Sequence, residues 1–92
     1  MSNLLRTLLA RRSHLSDRTI LDCLDLAEWL RPRILEGLPV RITTAELMTL
    51  WGCDQPTVSR RISVLRENWL LDAEVPRGRG ASMTIYRVGP AA

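Results

Sequence analysis

Side chains capable of catalysis or metal binding are few in this chain of 92 residues. There is one histidine, two cysteines and no lysine, because all 13 basic residues are arginines. A lysine general base or Schiff base is therefore excluded. Cys23 and Cys53 form no CxxC pair and have no histidine near them in the sequence, so their spacing predicts neither a metal site nor a disulfide. We expect a cytoplasmic protein with reduced core thiols, no catalytic residue, no metal and no cofactor.

Charge is distributed unevenly along the chain, which carries a net charge of +3. Residues 1–16 contain three arginines and no acid, whereas residues 17–54 contain four arginines and seven acids. The positive excess therefore lies at the amino-terminal end and in the carboxy-terminal half, and it suits a polyanionic partner. No apolar run approaches the length of a membrane span, so a membrane partner is not expected.

Apolar spacing predicts two helices in the amino-terminal part of the chain. The first covers residues 2–12 and has leucines at helical spacing. The second begins after a cap at Ser16, and we expect it to stop near Leu30 or to bend, because Pro32 removes a helical hydrogen bond. A short edge strand is predicted over residues 38–42, where two β-branched residues follow a proline. The leucines of the first helix are Leu4, Leu5, Leu8 and Leu9.

Two short helices separated by a tight turn are predicted next. Thr43 and Glu46 match a capping box, and Gly52 ends the first of these helices. Asp54 caps the second, whose residues Val58, Ile62, Leu65 and Trp69 fall on one narrow stripe of a helical wheel and are predicted to be buried. The opposite face is polar and is free to meet a partner.

The last part of the chain alternates apolar and polar residues with the period of a β-strand. This pattern covers residues 71–75 and 83–88, and a glycine-rich loop containing Arg77 and Arg79 separates the two segments. The sequence therefore predicts a β-hairpin with a basic tip.

Residues 43–88 resemble winged helix-turn-helix transcriptional regulators of the multiple-antibiotic-resistance and arsenical-resistance regulator kind. The likeness is strongest over TAELMTLWGCDQPTVSRRI, residues 44–62, with its Ala-Glu-Leu start, its turn glycine and its Thr-Val-Ser-Arg core. Those families usually have a glycine before the apolar pair that opens the hairpin, whereas this chain has Trp69. We expect Asn68 to take the left-handed conformation instead.

The resemblance implies an α+β winged helix-turn-helix fold with a three-helix core, a carboxy-terminal hairpin wing and an extra amino-terminal helix. Residues 17–92 would form the DNA-binding domain and residues 1–16 a dimerisation arm. The implied partner is double-stranded DNA, read by a homodimer that acts as a transcriptional regulator, a repressor from a phage or a plasmid, with no small-molecule effector evident. The residues implied to contact bases or phosphates are Gln55, Thr57, Ser59, Arg60, Ser63, Arg77 and Arg79.

The geometry of B-DNA explains why these residue types are suited to contact bases and phosphates. The major groove is about 12 Å wide and admits one α-helix, so an amide, hydroxyl or guanidinium on its outer face reaches base edges. Gln55 would pair with adenine and Arg60 with guanine. Arg77 and Arg79 would meet the backbone or an adjacent minor groove.

Other interpretations stay open at this point. A winged helix can serve as a protein-interaction module that binds a polymerase, a replication protein or another host factor. Replication-initiator or plasmid-partition binding would use direct repeats instead of an inverted repeat. The amino-terminal leucines fit a dimer contact, packing on the chain's own core, or a weak membrane-surface helix. Trp51 and Trp69 fit core packing better than stacking on single-stranded nucleic acid.

Overall fold

The computed structural model describes residues 2–10, 14–76 and 82–90. Within these ranges the chain forms four helices and one three-stranded antiparallel sheet, so the predicted α+β class is confirmed. The arrangement is compatible with a winged-helix fold. The elements in chain order are α1 (Ser2–Ala10), α2 (Asp17–Ile34), β1 (Val40–Thr43), α3 (Thr44–Trp51), α4 (Gln55–Glu67), β2 (Leu71–Glu74) and β3 (Ser82–Val88).

The sheet has β3 at its centre, with β1 and β2 on either side. Val40 lies opposite Ile85, and Ile42 lies opposite Met83, so these side chains share the buried face of the sheet. Alternate residues of β1 and β2 are exposed. The predicted edge strand is confirmed as β1, and the predicted hairpin is β2 paired with β3.

The core lies between the buried face of the sheet and helices α2, α3 and α4. Burial of these side chains supplies most of the driving force for folding, because each large apolar side chain removed from water contributes about 1.5–3 kcal/mol. The largest fully buried side chains are Leu8, Leu26, Leu30, Ile42, Leu47, Leu65, Leu70, Ile85, Val58 and Cys23.

Of the two alternatives predicted for α2, the stop near Leu30 is wrong, because the helix continues through Pro32 to Ile34. The bend at this point stays a prediction. Leu30 is fully buried and Ile34 packs against the core. Because only two residues follow the proline within the helix, we attribute the continuation to this burial, which offsets the missing hydrogen bond. The chain then turns at Gly37, whose φ of 117° favours glycine.

Helix α1 packs against α2 and contributes to the same core. Leu8 is fully buried and Leu4 packs against the core cluster, whereas Leu9 remains 47% exposed. The side chain of Leu5 lies outside the described part of the structure, as do Arg11 and Arg12. The amino-terminal helix therefore contributes part of its leucine face to its own chain and leaves Leu9 to solvent.

Candidate functional site

The turn between α3 and α4 fixes how the two helices meet. At the start of α3, the Glu46 backbone N–H donates to Thr43 Oγ1 at 3.1 Å and the Thr43 backbone N–H donates to Glu46 Oε1 at 3.0 Å, which confirms the capping box. Gly52 ends α3 in the left-handed conformation at φ 62°. The Cys53 backbone N–H donates to the Met48 carbonyl and closes the turn.

Helix α4 begins at a cap that the sequence predicts correctly. The Thr57 backbone N–H donates to Asp54 Oδ1 at 3.0 Å, and Pro56 occupies the first turn. Hydrogen bonds from Thr57 hold the pKa of Asp54 below its usual range, so the capping carboxylate is ionised at neutral pH. Val58, Ile62 and Leu65 are buried, and they fix the rotation of the helix about its axis.

The opposite face of α4 is exposed along its length. Thr57 is half-buried, because it lies at the side of the helix next to α2. The polar face predicted from the helical wheel is confirmed as an outward face, and it presents an amide, two hydroxyls and a guanidinium to solvent. Its exposed members are Gln55, Ser59, Arg60 and Ser63.

The structure describes both strands of the hairpin that follows α4, up to Pro76 and again from Ser82. Val75 and Pro76 are exposed at the end of β2, and the structure resumes at Ser82. Across the hairpin, the Tyr86 hydroxyl donates to Glu74 Oε2, at the loop end of β2, at 3.2 Å. Arg77 and Arg79, predicted to form the basic tip, lie outside the described residues, so their position stays a prediction.

Trp69 does not lie on the buried stripe of α4, and this part of the prediction is wrong. The helix ends at Glu67, and Trp69 is 72% exposed. The left-handed residue is Trp69, with φ 59°, and not Asn68, whose φ is −94°. The Leu70 backbone N–H donates back to the Leu65 carbonyl, which satisfies a group at the helix end.

The exposed indole borders a cleft between α4 and the sheet. The cleft has a volume of about 440 Å³, and its lining includes Ser63, Arg66 and Arg87. The Arg87 guanidinium donates to the Trp69 carbonyl at 3.2 Å and to the Gly89 carbonyl, and so links β3 to the turn after α4.

A second cleft, of about 350 Å³, lies between the first turns of α2 and the side of α4. Asp22 is only 3% exposed here and pairs with Arg18 on its own helix at 3.0 Å and with Arg61 on α4 at 3.6 Å. Burial raises the pKa of Asp22, and the two guanidinium groups oppose that rise. The residues that line this second cleft are Ser16, Arg18, Thr19, Asp22, Thr57, Arg60, Arg61 and Val64.

The sequence did not point to Arg18 or Arg61 as site residues. Arg18 lies in the part of the chain where acids outnumber arginines, and the helical wheel of α4 did not single out Arg61. The local signal that existed was the i, i+4 spacing of Arg18 and Asp22 on a predicted helix. The approach of α4 to that pair is a tertiary feature.

The cysteines stay apart in the fold. Both are free thiols, and Cys23 is fully buried. Burial raises the pKa of the Cys23 thiol to about 11, so it is a weak nucleophile at neutral pH.

Within residues 2–10, 14–76 and 82–90, no group of three or more histidine, cysteine or carboxylate side chains is placed to hold a metal ion. No helix in the same ranges is long and apolar enough to cross a membrane.

Comparison of the chain with models of known protein families, with curated proteins and with solved structures gives no match.

Proposed function

We propose that the chain is a winged helix-turn-helix protein that binds double-stranded DNA as a homodimer and acts as a transcriptional repressor in the cytoplasm. The order of elements supports the proposal, since a helix, an edge strand, two helices and a hairpin follow one another. In this interpretation α2, α3 and α4 form the three-helix core, α4 is the recognition helix, and β2 and β3 form the wing.

The exposed polar face of α4 is the observation that carries the proposal. Gln55, Ser59 and Arg60 lie on the outer side of a helix whose inner side is fixed by buried residues. Such a helix can enter a major groove without losing its contacts to the core. Gln55, in the first turn, is the best placed to pair with an adenine edge, and the short Ser59 side chain allows close approach.

Charge supports the same partner. Arg60 and Arg66 are exposed on α4, and Arg77 and Arg79 follow β2 in the sequence. Guanidinium groups that neutralise phosphates release counterions, so binding must weaken steeply as salt rises. The wing arginines would add two phosphate or minor-groove contacts to those of the recognition helix.

The test is duplex binding measured by fluorescence anisotropy over a series of salt concentrations. We expect Arg77→Ala/Arg79→Ala to weaken binding to all duplexes and to reduce the salt slope by about two, one for each lost contact. Gln55→Ala should cost about 1–3 kcal/mol on the preferred duplex and little on random ones. Arg31→Ala, an exposed arginine at the far end of α2, is the matched control. Wild-type protein with no salt-dependent affinity for any duplex would overturn the proposal.

A protein-interaction module is the second candidate, and Trp69 favours it. An exposed indole beside two arginines has the composition of an interface hot spot, because tryptophan and arginine are enriched at such positions. Trp69→Ala separates the two candidates. If the protein binds DNA, the variant should keep wild-type affinity for DNA. If the protein is an interaction module, the variant should lose the protein partner, and neither the variant nor the wild-type protein should bind DNA.

A further inference from the structure

The cleft between α2 and α4 combines features of an anion site. Its walls come from two helices that are far apart in the sequence, and three of its lining residues are arginines. Arg18 belongs to the first turn of α2, and Arg60 and Arg61 are consecutive residues of α4. The cleft is therefore a product of the tertiary fold and not of one helix end.

The charge balance in the cleft is positive. Among the described residues that line the cleft, Asp22 is the one acid. This carboxylate contacts Arg18 Nε and Arg61 Nη1, and among the described residues Arg60 forms no ion pair. Within the lining the three guanidinium groups outnumber the one carboxylate, so the walls of the cleft attract an anion. Two exposed acids outside the lining, Asp54 near Arg60 and Asp25 near Asp22, reduce that attraction.

Asp22 and Trp51 prepare the guanidinium groups for a ligand. Asp22 accepts a hydrogen bond from Arg18 Nε, which leaves the terminal nitrogens of Arg18 without a partner among the described residues. Arg61 lies over the Trp51 ring at 5.7 Å and beside the same carboxylate. Side chains fixed in this way lose less conformational entropy when they bind.

We propose that this cleft binds a phosphate group, and that in the DNA complex the group is a backbone phosphate at the edge of the groove that α4 enters. The identification of the phosphate as part of DNA depends on the proposed function. Guanidinium groups bind phosphate in a bidentate manner, and all 13 basic residues of the chain are arginines. Arg60 then binds phosphate instead of guanine, Arg18 and Arg61 become DNA-contacting residues, and Asp22 positions them.

The central test is Arg18→Ala, because Arg18 lies outside the recognition helix and its side chain is 55% exposed. We expect duplex affinity to fall about tenfold near 0.1 M salt, equally for preferred and random duplexes, with a salt slope reduced by about one. Arg31→Ala, on the same helix, should leave both quantities unchanged. Arg18→Lys should restore the slope but only part of the affinity, because lysine keeps the charge and loses the bidentate geometry. Thermal unfolding of each variant checks that the fold is intact.

Inorganic phosphate provides a second arm that does not depend on DNA. Titration of the wild-type protein should shift the amide resonances of Thr19 and Thr57, and Arg18→Ala should remove these shifts.

The outcomes separate the site from the proposed function. If the wild-type protein binds DNA and Arg18→Ala behaves like Arg31→Ala, the phosphate site is overturned and the proposed function stands. If DNA does not bind but inorganic phosphate shifts both amides, the site stands for a free phosphate-bearing ligand and the proposed function fails. If neither ligand binds, both are overturned.

Discussion

Trp69 has a backbone conformation that costs free energy in any residue with a Cβ atom. Its φ of 59° lies in the left-handed region, which costs a residue other than glycine roughly 1–2 kcal/mol. The indole is 72% exposed, so burial offsets little of that cost. The turn is fixed instead by Arg87, which reaches the Trp69 carbonyl from β3.

We expect Trp69→Gly to raise the free energy of unfolding by about 1 kcal/mol, because glycine takes the left-handed conformation without strain. Trp69→Ala keeps the strain and is the control. Urea denaturation of the three proteins measures the effect. A glycine variant that is no more stable than the alanine variant would show that the left-handed conformation carries no cost here.

Periodicity alone could not predict the position of Trp69. The spacing of Val58, Ile62 and Leu65 continues to Trp69, so a helical wheel extends the buried stripe by one turn too many. Two contacts hold the end of the helix: Asn68 Nδ2 donates to the Val64 carbonyl, and Arg87, eighteen residues after Trp69, donates to the Trp69 carbonyl. The first contact is local and the second is not.

The start of α3 shows what local signals can predict. The capping box of Thr43 and Glu46 was predicted from four consecutive residues, and both of its hydrogen bonds are present. Arg33 adds an ion pair to Glu46 at 2.8 Å. Hydrogen bonds from Arg33 and Thr43 lower the pKa of Glu46, so its contribution to stability is complete above the ordinary glutamate pKa, about 4.3. That contribution is lost as the pH falls through the lowered pKa.

We expect Thr43→Ala to lower the free energy of unfolding by about 1 kcal/mol at neutral pH, because the Glu46 backbone N–H loses its acceptor. Thr49→Ala is a matched control on the same helix. The Thr49 hydroxyl donates to the Ala45 carbonyl of its own helix, and alanine has the higher helix propensity. Chemical denaturation of both variants gives the comparison, and equal stability of the two would contradict a capping role for Thr43.

The helices and strands are held together by contacts between residues that are far apart in the sequence, and short sequence patterns do not predict these contacts. The hairpin of β2 and β3 follows from alternation and a glycine-rich loop, whereas the pairing of β1 with β3 joins Val40 to Ile85 across the chain. The exposed face of α4 was predictable from a helical wheel. The cleft between α2 and α4 was not, since it depends on how these helices pack.

Of the interpretations that the sequence left open for the amino-terminal leucines, packing on the chain's own core is observed for Leu8 and Leu4, and the dimer contact stays a prediction. Leu8 is fully buried in its own core and Leu9 is 47% exposed, so a dimer contact through α1 would use the outer side of this helix. We expect the wild-type protein to have twice the mass of one 10.5 kDa chain in light scattering and Leu9→Glu to be monomeric. Leu35→Glu, at a leucine that is 82% exposed at the end of α2, should remain dimeric. A monomeric wild-type protein would rule out the homodimer.

Selection of bound duplexes from a random pool tests the central claim most directly. A homodimeric winged-helix repressor should enrich an inverted repeat whose half-sites lie about one helical turn apart, 10–10.5 base pairs from centre to centre. Direct repeats would instead indicate an initiator or partition protein. A pool that shows no enriched sequence, with binding no stronger than to random DNA, would contradict sequence-specific recognition by α4.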